Sequence, residues 1–340
     1  MKLSAILIIF SWFIFSVSAQ IAPESPTSRK TKLFSVKADQ NNLTASGVSA
    51  GAFMANQLHI AYSKRFSGVG IIAGGQYYCA EGEVDKATKH CMKGTSFVNH
   101  QTAIQHAKSE FQNNRIDSLK NLRNDKVFLF SGKNDIVVSI QTMKELEKFY
   151  KYFLSSANIK TEFSHIAGHG FPTLHYGNDC TSQSYFNTPW ILNCNYDAAG
   201  IILSFLYEGL HAPAEPKSEN LIAFDQNEFI TNNSSMGTTG HVYIPSACRT
   251  NKCKIHIALH GCDQDPMSVG DKFVNYAGYN RYAEANNIII LYPAAQKNYW
   301  GDPQNPIGCF DWWGYTGPNY HVKDSVQMKA IMGMVDRLAE

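Results

Sequence analysis

Charge is scarce in this chain. Only 17% of its 340 residues are Asp, Glu, Lys or Arg, the two signs nearly cancel to a formal +2, and no long block of one sign occurs. That excludes the electrostatic footprint with which proteins track a phosphate backbone, so no nucleic-acid partner is expected. Close metal-ligand spacing is missing too, since neither C-x-x-C nor H-E-x-x-H occurs, and no metal or organic cofactor is expected. After the first twenty residues no apolar run is long enough to cross a bilayer, which argues against a stable membrane anchor. Internal repeats and low-complexity tracts are absent.

What is present begins with MKLSAILIIFSWFIFSVSAQ, an early lysine, an apolar run from Ala5 to Val17 and small residues at Val17-Ser18-Ala19. This reads as a secretory signal peptide, residues 1–19, cut after Ala19. The expected product is a secreted protein, extracellular or periplasmic, with 20–340 forming one domain. Eight cysteines, an even number, suit an oxidising compartment. Spacing suggests Cys79 with Cys91, Cys180 with Cys194, Cys248 with Cys253 and Cys262 with Cys309. Asn42, Asn232 and Asn233 fit the glycosylation pattern.

With 44% hydrophobic residues the chain can bury a large core. Strand-like apolar runs fall at 42–47, 69–73, 127–131, 160–166, 254–260 and 287–292. Helix-like runs fall at 50–64, 98–112, 141–157, 196–208, 271–286 and 322–338. Such alternation predicts an α/β fold with a mostly parallel central sheet. The Pro-, Ser-, Asn- and Gly-rich stretch 211–240 has the composition of a linker, although it contains strand-like pieces of its own.

Between the first strand and the first helix stands G-V-S-A-G, residues 47–51. A serine on such a turn is exposed above the carboxyl end of the strand, with the glycines keeping the turn free of side-chain clashes. The amide of Ala50, at the helix start, has no intrahelical acceptor and is free to meet an oxyanion. A glycine-flanked serine can equally be an ordinary turn, so Ser49 needs a base, and the base needs a carboxylate to fix its tautomer. Asp135, in SGKNDIVV, follows a strand end, where an aspartate also commonly caps a turn. His169, in GHGFP, lies between two glycines in a loop. His165 and His175 are nearby but better explained as structural or solvated. The order Ser, Asp, His is that of α/β-hydrolases.

One element is displaced. In the usual order a strand ending in a His-Gly loop precedes the nucleophile, yet here Leu259-His260-Gly261-Cys262 follows a strand some two hundred residues later. A circular permutation accounts for this: the usual start of the fold sits at the end of the chain. On SGVSAGAFMA, SGKNDIVV, GHGFP, LHGC and a late Trp-rich loop, the chain resembles the extracellular polyhydroxybutyrate depolymerases with the lipase box near the amino terminus. The resemblance implies a circularly permuted α/β-hydrolase, with Ser49 as nucleophile, Asp135 as orienting acid, His169 as base, and the amides of Ala50 and Cys262 as the oxyanion hole. It implies ester hydrolysis of poly(3-hydroxybutyrate) or its oligomers, and no appended polymer-binding domain is expected.

Eight aromatics lie between Tyr292 and Tyr320. They read either as core or as an apolar shelf for a polyester chain, with Trp312 or Trp313 as the expected contact. Two alternatives remain: a carboxylesterase of feruloyl or acetyl-xylan type on the same fold, and an exported binding protein that keeps the scaffold without the chemistry.

Overall fold

The computed structural model describes residues 30–182, 188–231 and 233–340. The signal-peptide reading, and Asn232 with its glycosylation site, lie outside them. Eleven strands are present among the described residues: β1 (Asp39–Val48), β2 (Phe66–Ile72), β3 (Lys126–Phe130), β4 (Ile159–Glu162), β5 (Phe171–Thr173), β6 (Asn178–Asp179), β7 (Ile191–Asn193), β8 (Leu221–Asp225), β9 (Thr239–Tyr243), β10 (Lys254–Leu259) and β11 (Ile288–Tyr292). Eight of them form one sheet in the order β4-β3-β2-β1-β10-β11-β9-β8. From β4 to β11 every pairing is parallel, and β9 and β8 add an antiparallel edge.

The position of β10 is the structural signature of the permutation. It pairs with β1 in register, Ser46 opposite Ala258 and Gly47 opposite Leu259, while β2 pairs with the other edge of β1. Strands from the two ends of the chain thus meet at the centre of one circularly permuted α/β-hydrolase sheet.

Period-two alternation divides each central strand between two cores. Leu43, Ala45, Ile255, Ile257, Ile289, Leu291, Val127 and Leu129 face one side, where the helices Ala50–Ala61, His100–Gln112, Ile140–Phe153 and Val326–Ala339 cover them. Val48, Phe128, Phe130, Ala258, Ile288 and Ile290 face the other, under the helices Ala198–Leu206 and Tyr279–Asn286. Both faces being dry explains why these strands read as continuous apolar runs.

Several boundaries differ from the sequence expectation for local reasons. The 271–286 helix is broken at Gly278, which adopts φ 98° and starts a new helix at Tyr279. The last helix begins at Val326 because Ser325 Oγ caps it by accepting the Met328 amide. β4 ends at Glu162, whose carboxylate accepts the Ser164 and His165 amides and turns the chain away. The stretch 211–240 supplies β8 and the start of β9, so it extends the sheet. Neighbouring cysteines are bonded: Cys79–Cys91, Cys180–Cys194, Cys248–Cys253 and Cys262–Cys309.

On the second face β1 carries polar residues that the core must satisfy. The wholly buried His256 ring lies between Thr44 Oγ1 and Ser46 Oγ, each 2.7 Å away, and these hydroxyls also meet Tyr207 and Tyr279. Burial pushes the His256 pKa down to about 3, so the ring folds neutral. Because this value lies below the unfolded one of about 6.5, the stability it contributes is present above that pH and is lost as pH falls. Denaturant midpoints are expected to drop between about pH 6.5 and about pH 4, and to drop less steeply in His256→Gln, as urea titrations of both proteins will show.

Helix Ala50–Ala61 crosses the carboxyl end of β10 at backbone contact. A Cβ on Gly51 would lie 2.3 Å from the His260 carbonyl oxygen and 2.4 Å from that of Leu259, and one on Gly47 would lie 2.3 Å from the Gly51 oxygen. Gly51→Ala is therefore expected to destabilise the fold by about 1–3 kcal/mol, the usual cost of overpacking, read from thermal melts.

Candidate active site

Ser49 stands where β1 turns into its helix, at φ 56° and ψ −125°. This region is costly for a residue with a side chain, by roughly 1–3 kcal/mol, and persists only where the surroundings over-determine it. Here they do. The Ser49 amide donates to Ile72 O at 2.9 Å, tying the turn to the end of β2, and the Ser49 carbonyl accepts the Ala52 and Phe53 amides, starting the helix. The hydroxyl-bearing side chain is left partly exposed.

One strand further along the same edge, the Ala73 amide donates to Phe130 O, and the loop after β3 carries Asp135. One carboxylate oxygen, Oδ1, accepts the Val137 and Val138 amides at 2.8 Å each, and the other, Oδ2, lies 2.8 Å from His169 Nδ1. With both amides aimed at it the carboxylate is held as an acceptor, so the proton of the neutral imidazole sits on Nδ1 and Nε2 keeps its lone pair. The side chains are 1% and 8% exposed, which shields the pair from water.

Asp135 and His169 meet because their loops are stitched together through the backbone. The Lys133 amide donates to His165 O and the Asn134 amide to Ala167 O, and a Cβ on Gly132 would lie 2.2 Å from that same Ala167 oxygen. The glycines flanking His169 serve the second contact. Gly168 donates to Cys180 O, and its Cβ would strike Ser182 O at 1.9 Å; Gly170 passes close to Trp190 O. The Cys180–Cys194 bridge and the small sheet β5-β7-β6 hold this loop from behind. His165 instead packs on Phe130 and Tyr196, and His175 is exposed.

Cys262 belongs to the loop that leaves β10. A Cβ on Gly261 would lie 3.2 Å from Ser49 Cβ, so the His260-Gly261-Cys262 turn rests directly on the elbow. Among the described residues neither the Cys262 amide nor the Ala50 amide has a hydrogen-bond acceptor. Cys262 is anchored through its bridge to Cys309. Ser49 Oγ makes no hydrogen bond to His169 among the described residues.

Sequence reasoning missed Gln264, whose side chain accepts the Gly261 amide and donates to Pro189 O and Trp190 O, and Trp190 itself, whose ring meets His169 edge-on at 5.8 Å. Nothing in the residue pattern pointed to these contacts, which are made to main-chain carbonyls and to a ring edge. The two tryptophans expected to touch substrate are placed differently from one another. Trp312 is buried, stacked on Phe53 at 4.0 Å, whereas Trp313 is half-buried beside it; the most exposed ring is Trp300. Asp311 shapes this loop, its carboxylate accepting the amides of Trp313, Gly314, Tyr315 and Thr316.

A second cluster could in principle hold a metal: His106 Nε2 lies 3.0 Å from His321 Nε2 and 3.2 Å from Glu110 Oε1. Both Glu110 oxygens already accept from the Arg115 guanidinium, which makes the cluster a charge-paired brace between the helix His100–Gln112 and the segment before the last helix.

No family model matches the chain. It is 36% identical over 339 residues to the polyhydroxybutyrate depolymerase of Talaromyces funiculosus, covering 96% of both proteins. It is 41% identical over 310 residues to the poly(3-hydroxybutyrate) depolymerase of Delftia acidovorans, where the match spans 89% of this chain and 61% of that longer protein. Among solved structures, the PHB depolymerase from Penicillium funiculosum superposes with a TM-score of 0.82 at 35% identity, covering 91% of this chain and 99% of that one. A PHB depolymerase complexed with an R3HB trimer matches equally well. With its permuted sheet, its strained serine and this likeness along nearly its whole length, the chain belongs to the polyhydroxybutyrate depolymerase family.

Proposed function

We propose that the chain is a secreted serine hydrolase that cleaves ester bonds of poly(3-hydroxybutyrate) or its oligomers through an acyl-enzyme, within one catalytic domain spanning 20–340. The observation that carries the reading is the 2.8 Å Asp135–His169 contact at the same sheet edge as the strained Ser49. The substrate class follows from the relatives, which are named for this polymer, and from the neighbour that holds an R3HB trimer.

In the first half-reaction His169 Nε2 takes the Ser49 proton as Oγ attacks the ester carbonyl. The Ala50 and Cys262 amides receive the oxyanion that develops, and the imidazolium passes its proton to the departing alcohol end of the polymer. In the second, the same nitrogen takes a proton from water, the hydroxide adds to the acyl carbon, and collapse releases the acid end and returns the proton to Ser49. Asp135 stays ionised and steadies the imidazolium. Backbone donors suit this task because they are fixed before the charge appears and need no reorganisation. Trp313, half-buried on a loop bonded to the Cys262 side of the site, offers an apolar face to a polyester chain; the stacked Trp312 holds it in place.

Wild-type protein is expected to clear amorphous polyhydroxybutyrate granules, and Ser49→Ala to leave them turbid. Asp135→Asn is expected to fold normally but to lose about ten-thousandfold in kcat, since the amide would present the wrong partner to His169 Nδ1. Release of ferulate or acetate from plant cell-wall esters without granule clearing would replace the polyester reading by an esterase of that type.

A further inference from the structure

We infer that His260 and Gln264 are positioning residues that hold the oxyanion hole in shape by occupying both hydrogen-bonding groups of Gly261, so that the Cys262 amide is presented in one fixed direction. The inference rests on the reading of Ser49 as nucleophile. Its starting point is that the Gly261 backbone is saturated by side chains. Its N–H donates to Gln264 Oε1 at 2.7 Å, and its carbonyl lies 2.7 Å from His260 Nδ1. Both side chains are buried, His260 at 4% and Gln264 at 2% exposure.

The protonation pattern is dictated by the neighbours. His260 Nε2 accepts the Ala295 amide at 3.1 Å, so the ring proton is on Nδ1 and is donated to Gly261 O. Burial favours this neutral ring. The Gln264 amide is oriented just as firmly, because its Nε2 faces two carbonyls, Pro189 O at 3.0 Å and Trp190 O at 2.9 Å, which accept but cannot donate.

The carbonyl of Gly261 and the N–H of Cys262 belong to one planar trans peptide and point in opposite directions. Holding the oxygen with His260 therefore sets the direction in which Cys262 donates. Gln264 fixes the other side of the same residue and reaches across to the His169 loop, where Trp190 O also accepts the Phe171 amide. One side chain thus ties the oxyanion donor to the loop of the base, although the two are far apart in the chain. A rotated Gly261–Cys262 peptide would leave the ground state almost untouched and weaken only the oxyanion, which is the expected kinetic signature of such a role.

The test uses the full chain, a soluble ester (p-nitrophenyl butyrate) and an alkyl boronic acid, which forms a tetrahedral anion on the serine. Gln264→Leu and His260→Leu are each expected to lower kcat by roughly tenfold to a hundredfold with KM within about twofold, and to weaken the boronate by a matching factor. His260→Asn, which can still donate to Gly261 O, is expected to recover most of the loss. Should Gln264→Leu fail to melt cooperatively, Gln264→Glu, which keeps the acceptor and loses both donors, is read in the same way. The inference is overturned if the Gln264 variant keeps wild-type kcat, if kcat falls while boronate affinity does not, or if His260→Asn is as impaired as His260→Leu. Wild-type turnover of the soluble ester without release of 3-hydroxybutyrate oligomers would overturn the polyester reading and leave this one standing. Hydrolysis of the ester by Ser49→Ala would overturn both.

Discussion

The structure turns on a place where two backbones touch with nothing between them. Helix Ala50–Ala61 begins against the carbonyls that end β10, and three glycines make this possible: Gly47 under Gly51, Gly51 under His260, and Gly261 over Ser49. A methyl group at Gly47 or Gly51 would occupy space already held by backbone, and one at Gly261 would press on Gln264, Ser49 and Val48 at 3.1–3.2 Å. Glycine is costly in a strand or helix because of the entropy it loses on folding. The chain accepts that cost at the junction where the serine, its helix amide and the facing loop come together.

That junction explains how a permuted chain can keep a hydrolase site. The elbow needs β10 beside β1, but nothing in the contact requires β10 to come first in sequence. Parallel strands joined by helical crossovers can be cut and rejoined wherever ends lie near the surface. What the permutation changes is the distance along the chain between the groups of the proposed site, since Ser49 and Cys262 lie some two hundred residues apart. Such non-local contacts give no local reward during folding and must be fixed by specific bonds afterwards. The Gly261–Gln264–Trp190 chain of hydrogen bonds and the Lys133–His165 and Asn134–Ala167 bonds are of that kind.

Much of this was legible in the sequence, and the part that was not has a physical reason. The apolar runs of β2, β3, β10 and β11 announced buried parallel strands because both faces are dry. G-V-S-A-G stood out because its glycines answer steric demands that no other residue meets, and the late LHGC turn because it follows a strand with a His-Gly pair. By contrast, β8 and β9 pair antiparallel at an edge, and the short apolar run of β8 is set among Pro, Ser, Asn and Gly that give the stretch the composition of a linker. The brief β5, β6 and β7 depend on the loops around them rather than on any periodicity of their own. Composition could show that Trp312 and Trp313 sit in an aromatic loop, but not that Phe53 stacks on one and leaves the other half open. The role of Gln264 was invisible for a similar reason: its partners, Pro189 and Trp190, are carbonyls some seventy residues away, and a main-chain acceptor leaves no trace in the sequence.

The placement of the disulfides follows from the same division between core and edge. The sheet centre sustains itself through burial and through a saturated polar network around His256. The loops at the carboxyl edge have few ladder bonds and yet carry the side chains of the proposed site. Three bridges lie there, and Cys79–Cys91 packs in one cluster with Ala50, Phe53 and Trp312. Cys180–Cys194 closes a 14-residue separation behind His169, and Cys262–Cys309 closes one of 47 beside the elbow. In the chain-entropy view, loops of this size are worth about 3 and about 4 kcal/mol respectively, drawn from the unfolded ensemble rather than from contacts in the folded one. A cross-link of this kind stabilises a loop without filling the space above it. That suits an edge which must be rigid and still open to an ester, whereas in the core the one remaining bridge, Cys248–Cys253, is buried among packed apolar residues.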